Sequence, residues 1–225
     1  MKLGRRLILS AERASDMALA LDIPLPVNAL TPDQTSLALL IERAAAGDTA
    51  AFERIMIHSQ QRVMAMTWRM LGNEADARDA SQEVFLRVYK YLKRFRQDQD
   101  FFAWLYGITV NVCRDFLKKR QNDSNRFVPL GEEGMALEVV AEHPDAESIV
   151  VQAQQRELIA KAIALLPFKE RASIVLRDME GFSTEEVARI MKSSATTVRS
   201  QISSARKKIR IYCRQQLRRF EEKAR

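Results

Sequence analysis

The stretch that decides the fold of the carboxyl-terminal part is STEEVARIMKSSATTVRSQISSARKKIRIY, residues 183–212. Its first four residues, Ser183 to Glu186, have the form of a capping box, in which a serine and a glutamate satisfy each other's backbone amides at a helix start. A short helix through VARIM and a polar turn at Lys192-Ser193-Ser194 precede a longer basic helix. This layout is typical of a helix-turn-helix, whose second helix enters the DNA major groove.

The second helix of this motif has two different faces. A spacing of 100° per residue places an apolar stripe on one side, formed by Val198, Ile202, Ala205 and Ile209. The outward or flanking positions carry short donors and cations: Thr196, Thr197, Arg199, Ser200, Ser203, Ser204, Arg206 and Lys207. Arginine can bind guanine in the major groove, and serine and threonine can reach bases or phosphates. An ordinary amphipathic hairpin has the same spacing, but the net charge of +9 over residues 192–225 favours DNA.

Composition limits the remaining fold classes. The 225 residues are 47% hydrophobic and include 7 glycines and 6 prolines, with helix-forming residues recurring throughout. We therefore expect an all-α protein. The net charge of +7 makes polyanions the natural partners. No segment approaches the roughly 20 apolar residues of a membrane span, so no membrane insertion is expected.

Cys113 and Cys213 are the only cysteines, and they lie far apart without histidines at metal-ligand spacing. The sequence therefore suggests no disulfide, metal site or cofactor, and it favours reduced thiols in the cytoplasm.

The chain divides into four parts. Residues 1–34 read as an amino-terminal extension, and residues 35–120 as a first helical domain. Residues 121–150 carry seven acidic residues and one arginine, a net charge of −6. Within this range, residues 121–147 predict a flexible acidic linker. Residues 148–225 form the second domain with a basic tail. The expected architecture is two small helical domains, the second a helix-turn-helix.

Within the first domain, EADARDASQEVFLRVYKYL predicts a helix with an inner face of Ala77, Ser81, Val84, Phe85 and Val88. Its opposite face is charged. After the polar loop KRFRQDQD, a further helix has interior spacing through Phe102, Leu105, Ile108, Val112 and Phe116. Trp104 falls at this interior spacing, so we expect it in the core.

Three strings resemble a known family. FRQDQDFFAWLYGITVN (95–111) resembles the segment with which bacterial RNA polymerase sigma factors read the promoter minus-10 element, and DARDASQEVFLRVY (76–89) resembles their core-gripping segment. Residues 164–209 resemble the domain that reads the minus-35 element. The order of the strings and the short acidic linker are similar to those of the two-domain extracytoplasmic-function (ECF) type.

The resemblance implies roles for three residue sets. The core-polymerase set is Asp76, Asp79, Gln82, Glu83 and Arg87. The minus-10 set is Lys93, Arg94, Phe95, Arg96, Asp98, Phe101, Phe102, Asn111 and Arg114. The minus-35 set is the outward row of the helix-turn-helix described above. Thr196 replaces the glycine common in the family, so no promoter sequence is carried over. The implied partners are core RNA polymerase, promoter DNA and an anti-sigma factor, with a stress- or envelope-responsive regulon.

Other classes explain less of the chain. A stand-alone helix-turn-helix regulator would account for residues 164–225 and leave the first domain without a role. A sigma mimic that binds only an anti-sigma protein would carry a receiver domain, and no βα alternation is present. An enzyme with a small-molecule substrate is not favoured, because His58 and His143 are isolated and no phosphate-binding glycine loop occurs.

Overall fold

The computed structural model of the chain describes residues 34–96, 98–124 and 146–223, and every regular element in those ranges is helical. The predicted all-α class is therefore confirmed. The amino-terminal extension and residues 125–145 of the predicted linker lie outside the described residues. The described chain divides into two compact units: residues 34–96 and 98–124 with 188–193, and residues 146–187 with 194–223.

The first unit contains four helices whose ends are set by local side chains. They are α1 (Gln34–Ala45), α2 (Thr49–Leu71), α3 (Glu74–Tyr91) and α4 (Phe101–Ser124), with a 3₁₀ turn at Leu92–Arg94 before α4. Asp48 caps α2 by accepting a hydrogen bond from the Ala51 amide at 3.0 Å, and Asn73 caps α3 by accepting from the Asp76 amide at 2.8 Å. Gly72 ends α2 with φ of 77°, a left-handed conformation that glycine adopts without strain.

The core of the first unit lies where α2, α3 and α4 meet. Its fully buried side chains are Ile55, Val63, Met66, Met70, Val84, Val88, Leu105, Tyr106 and Val112. One buried polar contact crosses it: the Thr67 hydroxyl lies 2.9 Å from the Ser81 hydroxyl and 3.1 Å from the Ala77 carbonyl oxygen. This contact satisfies polar groups of α2 and α3 that burial would otherwise leave without partners.

The buried face of α4 is broader than the predicted stripe. Leu105 and Val112 are buried as expected, but Phe102, Ile108 and Phe116 are only half-buried. The additional buried positions are Phe101, Tyr106, Thr109, Val110 and Cys113. The reason is that α4 packs on both α2 and α3, whereas a single-stripe pattern assumes one neighbour. Phe85 of α3 is likewise half-buried.

The second part of the chain forms α5 (Ala146–Ala164), α6 (Phe168–Ile174), α7 (Thr184–Ile190) and α8 (Ala195–Lys223), with a π-helical turn at Val175–Met179 after α6. Pro167 separates α5 from α6, as predicted. The capping box is also confirmed, because the Ser183 amide donates to Glu186 at 2.7 Å and the Glu186 amide donates to the Ser183 hydroxyl at 3.2 Å.

The predicted helix-turn-helix is present in the backbone. Lys192 in the turn has φ of 52°, and the Ser194 hydroxyl accepts from the Thr197 amide at 3.1 Å, which starts α8. The predicted apolar stripe of α8 is fully confirmed: Val198, Ile202, Ala205 and Ile209 are buried. The predicted basic tail is helical, because α8 continues through it to Lys223.

Two glycines give a matched test of the first unit. Gly72→Ala places a Cβ on a left-handed residue and should lower the free energy of unfolding by about 1–2 kcal/mol. Gly107 lies inside α4, and a Cβ built there meets nothing within 4 Å, so Gly107→Ala should raise stability by about 0.5–1 kcal/mol. Both tryptophans, Trp68 and Trp104, lie in this unit, so urea unfolding followed by tryptophan fluorescence reports on it directly. Equal effects of the two substitutions would contradict this account.

Candidate nucleic-acid and protein interfaces

The charged face of α3 forms one wall of an open groove against α4. The groove is lined by Asp79, Gln82, Glu83, Leu86 and Arg87 from α3, and by Asp115, Phe116 and Lys119 from α4. Four of the five residues that the sequence assigned to polymerase binding thus lie together. The fifth, Asp76, is at the start of α3, where it accepts a hydrogen bond from Asn73 at 2.6 Å.

Arg87 joins the two walls of this groove. Its Nε donates to Glu83 Oε1 at 2.7 Å, and a terminal nitrogen donates to Asp115 Oδ2 at 3.0 Å. Burial acts to lower the pKa of Arg87, but the two carboxylate hydrogen bonds outweigh it and raise the pKa. Leu86 stands beside these charges with 65% of its surface exposed, so the groove offers apolar and charged contacts together. Sequence reasoning missed Leu86 and the α4 wall, since the helix pairing is invisible in a single-helix pattern.

The loop before α4 rests on a cluster of aromatic rings. The Phe95 ring centroid is 5.7 Å from that of Phe101 and 5.1 Å from that of Trp104, and the Phe101 centroid is 5.6 Å from that of Phe102. Phe101 is buried, whereas Phe95, Phe102 and Trp104 are half-buried. The sequence expectation therefore changes at two positions: Phe101 is the interior support of the cluster, and Trp104 presents part of its ring to solvent.

The cations of this loop differ in whether they form an ion pair with a carboxylate. Lys93 and Arg94 are exposed, and the Arg94 guanidinium lies 5.9 Å from the Tyr91 ring centroid. Arg96 instead forms an ion pair with Asp98 at 2.6 Å. The hydrogen bond from Arg96 holds the pKa of Asp98 below its ordinary value. Both partners of this pair are exposed, so an incoming phosphate could compete with the carboxylate for Arg96.

Arg62 of α2 belongs to the same surface, although nothing in the sequence pattern placed it there. Its guanidinium lies 4.4 Å from the Phe102 ring centroid, a cation–π distance. The His58 ring is 6.1 Å from the same phenyl ring. Burial, followed by the charge of Arg62, lowers the pKa of His58, so this imidazole favours its neutral form. A positive charge thus lies beside the aromatic cluster from a helix some forty residues earlier.

Asn111 and Arg114 lie farther along α4. Arg114 donates a hydrogen bond to the Asn111 side-chain oxygen, and Arg114 is exposed. Asn111 is ten residues after Phe101 and seven after Trp104, so it lies roughly 10–15 Å along the helix axis from the aromatic cluster. These two predicted contacts form a separate polar site on the same helix and are not part of the loop surface.

The outward face of α8 carries most of the predicted minus-35 residues. Seven of the predicted minus-35 residues are exposed: Thr196, Thr197, Arg199, Ser200, Ser203, Arg206 and Lys207. Arg199 reaches back to Glu185 of α7 at 2.9 Å, and both side chains are 61% exposed. This pair links the two helices of the motif at the solvent side.

Ser204 and Arg206 differ from the expectation of DNA-facing side chains. Arg206 binds Asp178 with two hydrogen bonds of 2.9 and 2.7 Å, and the Ser204 hydroxyl donates to Glu170 at 3.1 Å. The Asp178 hydrogen bond raises the pKa of Arg206. Lys208 also contacts Glu170, at 2.8 Å. These side chains connect α8 to the preceding helical segment, because their positions flank the buried stripe.

Two negative observations concern the described ranges. Residues 34–96, 98–124 and 146–223 contain no group of three or more His, Cys, Asp or Glu side chains placed to hold a metal ion. No helix in those ranges is both long and apolar enough to cross a membrane.

Comparison with known proteins identifies both units. The family description Sigma-70 region 2 matches residues 56–122, and Sigma-70, region 4 matches residues 156–209. The chain is 33% identical over 177 residues to the ECF RNA polymerase sigma-E factor of Escherichia coli strain K12, covering 76% of this chain and 91% of that protein. It is 30% identical over 173 residues to the RNA polymerase sigma-H factor of Pseudomonas aeruginosa strain PAO1, covering 76% and 90% respectively.

Two solved structures are similar in fold. CnrH in complex with the cytosolic domain of CnrY gives a TM-score of 0.54 at 24% identity, covering 77% of this chain and 94% of CnrH. The sigma factor RpoE of Bartonella quintana, in complex with the anti-sigma factor NepR, gives a TM-score of 0.60 at 20% identity, covering 72% and 96%.

Proposed function

This chain belongs to the extracytoplasmic-function group of RNA polymerase sigma factors. From that membership we propose which of its surfaces bind core polymerase and which recognise the promoter. As a sigma factor it binds core RNA polymerase and directs transcription initiation at its promoters. One observation carries the proposal. The α3–α4 groove and the aromatic loop lie inside the region 2 match, and the outward face of α8 begins inside the region 4 match.

The domain assignment follows the two matches. Residues 35–120 act as region 2, and residues 148–225 act as region 4 with its basic extension. Residues 121–147 connect them as an acidic linker, which suits a segment that passes along a basic channel of the polymerase. Residues 1–34 precede region 2 as a separate extension.

The α3–α4 groove is the proposed core-polymerase site. Its rim combines the carboxylates of Asp79 and Glu83 with the exposed Leu86, a mixture typical of protein interfaces. Arg87 is already neutralised by Glu83 and Asp115, so it positions the carboxylates and does not present a free charge. Asp79 has no such partner among the contacts of the described groove and is the residue most open to a basic partner helix.

The aromatic loop is the proposed minus-10 site. An unstacked base needs a planar or apolar surface, which Phe95, Phe102 and Trp104 supply, and phosphates need cations, which Lys93 and Arg94 supply. The buried Phe101 ring packs against all three of these rings. Arg62 extends the cationic rim of this site beyond the loop itself.

The outward face of α8 is the proposed minus-35 site. Arg199 is placed to read a base in the major groove, and Thr196, Ser200 and Ser203 lie on the same exposed side for base or phosphate contacts. The Glu185 carboxylate can orient the guanidinium toward the groove floor without binding DNA itself.

Regulation and location follow from the same assignment. The similarity in fold to the NepR-bound RpoE supports a proteinaceous anti-sigma factor as a further partner. The protein acts as a non-catalytic subunit in the cytoplasm, where polymerase and promoters are found. We infer a stress- or envelope-responsive regulon from membership in the extracytoplasmic-function group. The alternative of a stand-alone regulator leaves the groove and the region 2 match without a role.

Run-off transcription tests the proposal. Core polymerase with this chain should initiate from a subset of genomic promoter fragments, and core polymerase alone should not. The isolated chain should give weak gel shifts, since in this family the polymerase aligns the two DNA-reading surfaces. Tight sequence-specific binding without polymerase, together with no stimulated transcription, would favour the stand-alone regulator.

Charge reversal tests the groove. Asp79→Lys combined with Glu83→Lys should lower affinity for core polymerase by about tenfold or more, because like charges then face the partner. The matched control is Glu42→Lys with Glu53→Lys, which makes the same charge change at exposed positions of α1 and α2. Fluorescence titration with core enzyme measures both, and circular dichroism checks helicity. Equal affinities of the two variants would remove the groove from the interface.

Base discrimination tests Arg199. If its guanidinium makes two hydrogen bonds to guanine, Arg199→Ala should cost about 1–3 kcal/mol and relax preference at one base pair of the minus-35 element. Lys207→Ala, the control for a phosphate contact, should weaken all sequences similarly. Initiation rates on single-base minus-35 variants distinguish the two. A uniform loss with Arg199→Ala would assign that residue to the backbone.

A further inference from the structure

Helix α8 is longer than the motif that reads DNA. The region 4 match ends at residue 209, but the helix continues without a break to Lys223. This extension is anchored, since α8 packs on α5 as well as on α6, and Tyr212, Cys213 and Leu217 are half-buried. The extension therefore has a defined inner side, and its outer side points in a fixed direction.

Four cations form a row along the outer side. They are Lys207, Arg210, Arg214 and Arg218, all exposed. Their spacings of three, four and four residues place them on one face, one turn after another. At 100° per residue this face lies opposite the buried stripe and continues the line of Ser200 and Ser203. We call these four residues the basic row.

The basic row differs in its partners from three neighbouring cations of α8. Arg199, Arg206 and Lys208 are each paired with a carboxylate of the same unit. Among the residues that the structure describes, the four members of the basic row make no ion pair. Like charges one turn apart repel one another and destabilise a helix. A polyanion bound along the row would relieve this repulsion.

From this we propose that the basic row is a second phosphate-binding site for promoter DNA, on the duplex that flanks the minus-35 contacts. The inference rests on the proposed function, because it takes the outward face of α8 as the DNA side. Lys207 and Arg218 are eleven residue steps apart, roughly 16 Å along the helix axis. Successive phosphates of each DNA strand are spaced about 3.4 Å apart along the duplex axis. Several phosphates therefore come within reach of the basic row.

DNA is favoured over an acidic protein surface by continuity. The row starts at Lys207, within the exposed face assigned to the major groove, and proceeds along the same helix line without a turn or a change of side. Phosphate contacts require charge more than a particular donor geometry, and they hold the register of a recognition helix without reading bases. The row therefore adds affinity and positioning to the site, and no sequence preference.

The salt dependence of promoter binding tests this inference. The variant Arg210→Gln/Arg214→Gln/Arg218→Gln is assembled as full-length protein with core polymerase. Each lost phosphate contact lowers the slope of log affinity against log salt by about 0.9, so the slope should become shallower by roughly 2 to 3. Ethylation interference with the wild-type holoenzyme should reveal phosphates whose modification no longer matters in the variant. Circular dichroism checks that α8 stays helical.

Two controls make the test specific. The triple Arg→Lys variant at the same positions keeps the charges and should keep the wild-type slope. Lys161→Gln/Lys169→Gln removes two exposed cations of α5 and α6, outside α8, and should also leave the slope unchanged.

The outcomes separate this inference from the proposed function. An unchanged salt slope and interference pattern, with normal promoter binding by the wild-type holoenzyme, would overturn the basic row alone. Weakened affinity for core polymerase with an unchanged DNA slope would assign the row to an acidic protein surface and also overturn it. Absence of promoter binding by the wild-type holoenzyme would overturn both.

Discussion

The rotation of α8 about its own axis is the constraint on which the proposed DNA-reading surface depends. Four buried side chains, Val198 to Ile209 at helical spacing, set that rotation approximately. Apolar packing is not directional, so it tolerates small rotations. The two hydrogen bonds from Arg206 to Asp178 and the contact of Lys208 with Glu170 remove that freedom, because each requires its helix position to face the acidic residue. These contacts therefore help to set the direction in which the outward side chains of α8 point.

The groove of the first unit uses the same principle. Arg87 reaches one carboxylate on its own helix and one on α4, so the two walls are held in register by a single side chain. Exposed ion pairs contribute little to stability, and the packing of Val84, Val88 and Leu105 supplies most of the cohesion of these helices. Arg87 instead positions the Glu83 and Asp115 carboxylates relative to the exposed Leu86.

The sequence predicted features that are determined within one helix. The capping box at Ser183, the break at Pro167 and the stripe from Val198 depend on local hydrogen bonds and on helical period, and all three are present. Features that depend on a second helix were missed or misplaced. Phe101 is buried and Trp104 is half-buried because α4 has two neighbours, and the Arg62 guanidinium lies beside the Phe102 ring from α2. Ser204 and Arg206 turn to Glu170 and Asp178, acids that a helical wheel of α8 alone does not contain.

Burial of the acidic partner separates structural cations from cations that are available to DNA. The Asp178 side chain is only 8% exposed, so removing Arg206 from it would leave a carboxylate desolvated and unpaired, which is strongly unfavourable. Glu185 is 61% exposed and stays hydrated when Arg199 leaves it, so that pair can open at small cost. Arg199 can therefore exchange its carboxylate for a base or phosphate, while Arg206 stays within the fold. The charge of an arginine is the same in both cases, and the solvation of its partner decides which of the two can leave its carboxylate.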